Sequence, residues 1–352
     1  MREMKREKRE RIEEMTVFET FLCLFVIMIH VSSEGIMEYV RPGIVSAVFY
    51  VLTRFLTFVV PAFLFASALK TVMKYKTDEF NYIKFIIDRI KKIYVPYLIW
   101  VVLYYLYFVF RLKYFPFDIV ELLKYILYGD LAAQFYFIVI IMQFYLLMPL
   151  WKKMCEKIPF IISLILAFSL TYFTRIFMPK IFPDFMYFDR IFPAYLIFWV
   201  VGCYLGYHYK KYIETLAKYR AVVYLSALLL SVHVFLQYLN FCGFIYYQYS
   251  GWVHTMFCFV FTLAFYMLVR DGLELIGKSM VIFKESAKVS FYVFLIHVLV
   301  LFETAHWLGI FNITSVTVRF FIRAFFTYVI PFAATFVYVK IKEKVRKNLS
   351  KE

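Results

Sequence analysis

The segment FETFLCLFVIMIHVSSEG, Phe18 to Gly35, is apolar enough to cross a membrane yet carries Glu19, His30 and Glu34. A charged side chain at the centre of a bilayer costs about 2.5–3.5 kcal/mol on insertion scales. Eleven helical steps of about 100° separate Glu19 from His30 and return almost to the same face, and Glu34 stands one turn further at i+4. The three residues form one polar stripe. A lone histidine on an apolar face is commonly a satisfied core residue, whereas three ionisable groups on one stripe in lipid point to a functional cavity. The chemistry they bring there is proton exchange and hydrogen bonding.

A second intramembrane histidine lies in KVSFYVFLIHVLVLFETAHW. His297 is nine residues past Lys288, and Ser290 precedes it by seven, on nearly the same face. For His297 alone, structural hydrogen bonding and function stay equally open. In DRIKKIYVPYLIW, Arg89 and Lys92 are three apart and are expected to share a helix face. Composition favours a topology signal that touches lipid phosphate; the functional alternative is a cationic cradle for a phosphorylated cofactor. Gln134, Tyr136 and Gln143 fall in or beside one apolar run, and Gly202 and Gly206 have the i+4 spacing of close helix packing. His208 is read as interfacial. There is no Walker loop, no clustered Asp pair and no G-x-S-x-G elbow.

The elements that must hold these residues are helices in lipid. Of 352 residues, 64% are hydrophobic, mean hydropathy is +0.73, and only 10 Gly and 10 Pro interrupt the chain. Soluble domains are nearer half apolar, and the alternating short strands of an outer-membrane barrel are not visible. Ten spans are expected, roughly 17–37, 44–69, 93–110, 134–150, 159–176, 191–208, 221–240, 252–269, 288–307 and 317–339. The fold class is an all-α, polytopic membrane bundle of about ten transmembrane helices. A basic arm at 1–16 precedes the bundle at 17–340, and a basic tail follows at 341–352.

Of the 40 Lys and Arg, 30 lie in the two termini and the loops on their side, seven lie in the opposite loops, and Arg54, Arg319 and Arg323 lie within spans. The positive-inside rule therefore places both termini in the cytoplasm. This bias accounts for the net charge of +16 without a nucleic-acid partner. The five cysteines, Cys23, Cys155, Cys203, Cys242 and Cys258, are scattered, so neither a disulfide framework nor a metal site is expected.

Together these pieces resemble the acyltransferase-3 family of integral membrane O-acyltransferases. Its first helix carries a basic residue, ten residues, then a histidine; ETFLCLFVIMIH keeps the spacing with Glu19 in the basic place. VPAFLFASAL is similar to the second-helix signature, with Ala68 where the family has glycine. RIKKIYVPYLIW matches the basic pair and proline of the third helix, and SFYVFLIH matches a late helix ending in histidine. FYFIVIIMQFY and FWVVGCYLGYHY resemble the subgroup found in poly-N-acetylglucosamine intercellular-adhesin synthesis.

The resemblance covers nearly the whole chain and implies transfer of an acyl group from cytoplasmic acyl-CoA to a hydroxyl of an extracytoplasmic sugar or polysaccharide. It implies that His30 is the base, supported by Glu34, and that Arg89 and Lys92 hold the CoA phosphates. His297, Tyr136 and Glu19 are expected to line the substrate cavity. The implied location is the bacterial cytoplasmic membrane, with lipid, acyl-CoA and the sugar acceptor as partners and no metal. Polysaccharide synthase components or a second copy of the chain stay open as further partners. The main alternative is an exporter or flippase for a polysaccharide or lipid-linked sugar; a sensor or scaffold for a synthase is a third reading.

Overall fold

The computed structural model describes residues 2–38, 42–76, 80–248 and 250–349; the side chains of 2–12, 34, 37–38, 250 and 346–349 lie outside that description. All repeating structure among the described residues is helical. In chain order the helices are α1 (Arg2–Glu38), α2 (Ile44–Leu56), α3 (Val59–Tyr75), α4 (Tyr82–Leu112), α5 (Ile119–Tyr128), α6 (Tyr136–Leu146) and α7 (Met148–Lys157). They continue with α8 (Phe160–Ile181), α9 (Phe192–Tyr207), α10 (Tyr209–Lys218), α11 (Arg220–Phe241), α12 (Ser250–Asp271), α13 (Met280–Ile310) and α14 (Val316–Leu349). Hydrocarbon offers the backbone no hydrogen bonds, so apolar runs of this length close their bonds internally as helices.

Each of the ten expected segments is helical, but not all ten are straight spans. Eight helical stretches among the described residues are long and apolar enough to cross a bilayer. The segment expected at 134–150 is instead two helices, α6 and α7, bent by 57°. The break falls at Leu147, which leaves helical dihedrals, and Pro149 in the first turn of α7 has no N–H to continue the ladder. The α9 segment is apolar but short. Helix α1 begins at Arg2 and so runs through the arm expected at 1–16, and α14 runs to Leu349 within the tail expected at 341–352.

The chain divides into two compact units: residues 1–59, 225–250 and 261–352 form one, and residues 60–224 and 251–260 the other. In the first unit α1 and α13 run parallel in a seven-residue register. Cys23 Sγ lies 3.7 Å from the Ser290 carbonyl, and seven residues further along each helix His30 faces His297. A seven-residue repeat holds one seam of each helix against the other. The start of the seam is pinned by charge. Glu14, buried, accepts from Tyr266 Oη at 3.1 Å and pairs with Arg270 at 3.5 Å, while Glu13 takes Lys284 at 2.7 Å. The antiparallel α14 is tied on by Tyr328, whose hydroxyl donates to the Leu24 carbonyl at 2.7 Å, and α2 by a 2.8 Å hydroxyl pair between Ser32 and Thr53.

The second unit packs around α9, every residue of which is buried from Leu196 to Gly206. A Cβ on Gly202 would lie 2.4 Å from the Phe65 carbonyl oxygen, and one on Gly206 2.4 Å from that of Leu69. The i+4 glycine pair thus lets α9 and α3 meet backbone to backbone. Trp199 stacks on Phe144 with ring centroids 4.4 Å apart. The long α4 widens into π-turns at Ile90–Tyr94 and Tyr107–Leu112.

Candidate active site

The first unit brings His30 and His297 together, with ring centroids 5.2 Å apart and planes at 44°. His297 is fully buried. Its Nδ1 lies 2.9 Å from the Phe294 carbonyl and 3.2 Å from that of Val293. Carbonyl oxygens only accept, so Nδ1 must carry the proton, and in the neutral ring Nε2 keeps a lone pair. That Nε2 is buried with no hydrogen-bond partner among the described residues. His30 is partly exposed. The pair therefore offers one imidazole locked in a single tautomer and one open to a visiting group. The helix α1 continues past His30 to Glu38.

Glu19, the other member of the expected stripe whose side chain is described, does not lie beside this pair. Glu19 is half-buried on α1 and eleven residues from His30, which is about 16 Å along the axis. It shares the face but not the layer. Glu34 lies on α1 one turn past His30, but its side chain falls outside the described residues.

Arg89 and Lys92 belong to the second unit, and the expectation that they share a helix face is corrected there. A π-turn over Ile90–Tyr94 begins directly after Arg89 and contains Lys92, and it takes up more residues per turn than an α-helix. Lys92 points to solvent, with its side chain 69% exposed, and pairs with Asp88 at 3.3 Å. Arg89 turns inward instead. Its guanidinium lies over the rings of Phe85 and Tyr145, 4.9 and 4.8 Å from their centroids, with Nε buried and unbonded among the described residues. Aromatic faces hold a cation in place while leaving the edge of the guanidinium plane for an anion.

Tyr136, at the start of α6, lies under the guanidinium of Arg190, 4.9 Å from the ring centroid. Arg190 also pairs with Asp130 at 2.8 Å. Gln143 bridges the same loop, donating to the Arg190 carbonyl at 2.7 Å and accepting from Phe192 N at 3.0 Å. Tyr136 thus belongs to a packed polar cluster that orders the 188–192 turn.

One network escaped the sequence reading, and one charge showed its position there but not its burial. The Glu14–Tyr266–Arg270 network was hidden because its partners are some 250 residues apart in the chain. Arg323 was visible as a charge within a span, and it proves fully buried.

A family model described as an acyltransferase domain matches residues 12–338. The chain belongs to the acyltransferase-3 family. Among curated relatives, it is 24% identical over 313 residues to a "Probable poly-beta-1,6-N-acetyl-D-glucosamine export protein" of Staphylococcus epidermidis, covering 85% of this chain and 84% of the relative. A protein of the same description from Staphylococcus aureus strain MSSA476 is 26% identical over 228 residues, 61% of this chain and 62% of that one. No solved structure matches. The acyltransferase-3 assignment makes this multi-pass membrane protein an acyltransferase, with its two buried-helix histidines set side by side on one seam.

Proposed function

We propose that the chain moves an acyl group from acyl-CoA to a hydroxyl of a cell-surface polysaccharide, with the reaction at His30. The observation that carries this reading is the His30–His297 pair inside a bundle of the acyltransferase-3 family. The loop charges support a bacterial cytoplasmic membrane orientation with both termini inside, which sets His30 toward the outer surface. The names of the relatives support a poly-N-acetylglucosamine acceptor.

In this reaction His30 accepts the proton of the sugar hydroxyl as its oxygen attacks the thioester carbonyl carbon. The C–O bond forms, the C–S bond breaks, and the departing thiolate takes the proton from the imidazolium, leaving an ester and CoA thiol. His297 contributes a fixed lone pair that receives a hydrogen bond from the acceptor. Arg89, resting on the rings of Phe85 and Tyr145, holds a nucleotide phosphate of the donor; Lys92 supplies only long-range attraction. Purified protein in nanodiscs should move label from acetyl-CoA to a β-1,6-linked N-acetylglucosamine oligomer. Absence of transfer with acetyl-, propionyl- and succinyl-CoA alike would refute the reading.

The descriptions of the relatives favour a second reading, export of the polymer itself. Export predicts that site variants change the amount of sugar outside the cell without changing its acyl content.

A further inference from the structure

Arg323 is the most costly side chain in the first unit that the histidine chemistry leaves unused. It is 0% exposed, eight residues into the span Val316–Val345. Arginines near the ends of spans normally extend their heads to the interface. This one folds back, with Nε donating to the Arg319 carbonyl at 3.3 Å. One turn along the same helix face, Thr327 is also 0% exposed, and its hydroxyl has no hydrogen-bond partner among the described residues. The inward stripe of α14 is thus Arg323, Thr327, Pro331 and Thr335, three of the four polar where an apolar seam would pack more cheaply.

Two anchors fix the depth of this stripe against α1. At the first, Tyr328 Oη meets the Leu24 carbonyl. His30 is six residues from Leu24, about 9 Å, and Arg323 is five from Tyr328, about 7.5 Å in the same direction, because the helices are antiparallel. At the second, the Phe49 ring sits against Gly35, with a Cβ there only 2.8 Å away, and against Phe320, with centroids 4.9 Å apart. From that side His30 is five residues in, about 7.5 Å, and Arg323 three, about 4.5 Å. Approached from either end, Arg323 and His30 lie within about 3 Å of the same level. The heptad register already sets His297 at that level. The layer therefore holds a partly open imidazole, a buried Nε2 with no partner among the described residues, and a buried guanidinium.

We infer that Arg323 stabilises the charge that develops in the acyl-transfer step, a role that rests on the acyl-transfer reading. As the sugar oxygen bonds to the thioester carbon, the carbonyl π pair moves onto its oxygen, and the guanidinium donates hydrogen bonds to that oxyanion. When the C–S bond breaks the pair returns, so Arg323 binds the intermediate more tightly than either end state. His30 handles the proton and Arg323 the charge. A planar donor that never loses its proton suits this task better than lysine.

The test uses the full chain in nanodiscs, acetyl-CoA and a β-1,6-linked N-acetylglucosamine oligomer, with Arg323→Met and Arg323→Lys beside the wild type. Methionine fills the space without charge, so the variant should fold at least as well. Arg323→Met should lose about 10²–10³-fold in kcat with KM for acetyl-CoA moved less than threefold. Arg323→Lys should fall between the two, and millimolar guanidinium should raise the rate of Arg323→Met but not of the wild type. A folded Arg323→Met with wild-type kcat overturns the assignment while leaving acyl transfer standing. A loss confined to KM, or a rate insensitive to guanidinium, overturns it too. A wild-type protein that transfers nothing from any acyl-CoA defeats the acyl-transfer reading itself, and this assignment with it.

Discussion

The two regions that carry the candidate chemistry treat sequence spacing in opposite ways. Along α1 and α13 the helices stay regular, so seven residues from Cys23 to His30 match seven from Ser290 to His297, and both pairs meet on one seam. At Ile90–Tyr94 the helix widens, and three residues from Arg89 to Lys92 no longer keep a common face. One cation rests on the rings of Phe85 and Tyr145; the other is a solvent-facing partner of Asp88. Periodicity places side chains only where the hydrogen-bond ladder is uninterrupted. Where a turn takes an extra residue, aromatic neighbours decide which side chain is held.

The largest effect in that comparison belongs to the seam. His297→Asn keeps an N–H donor for the Phe294 carbonyl but removes the Nε2 lone pair. It should lower acyl transfer about 10²-fold or more with little change in thermal stability. Wild-type transfer by this variant would reduce the His30–His297 contact to packing. Next comes the glycine seam of the second unit. Gly202→Val drives a side chain into the Phe65 carbonyl and should cost about 1–3 kcal/mol or more, read as a lower melting temperature and poorer folded yield. Normal stability would mean that α3 and α9 separate easily.

The two cations should then part company. Arg89→Gln should weaken CoA binding on the order of tenfold, the value of one charge-assisted hydrogen bond. Lys92→Gln should change it less than threefold, since an exposed pair contributes little. Titration calorimetry with CoA reads both. Equal losses would restore the shared face that the π-turn removes.

Much of the fold was legible because the membrane makes composition decisive: all ten apolar runs are helical. What failed to show was irregularity. Pro149 marked the break between α6 and α7 in plain sight, but nothing in the sequence sets the size of the 57° bend. The π-turn in α4 has no compositional mark. His30 and His297 were each readable as intramembrane histidines, yet their contact needed the register of two helices 267 residues apart. Glu19 shows the limit of face-based reasoning, since eleven residues restore the angle while adding about 16 Å of height. Arg323 was visible as a charge within a span, but its level relative to that of His30 depends on the Tyr328 and Phe320 anchors.

The most direct test separates acyl transfer from export at His30. His30→Gln retains size and polarity but cannot take up a proton near neutral pH. In cells that make the polymer, acyl groups per sugar and total extracellular sugar should be measured together for the wild type and this variant. Acyl content should fall to background while polymer continues to reach the surface. Unchanged acyl content per sugar, with less polymer outside the cell, would contradict an acyltransferase centred on His30 and favour export.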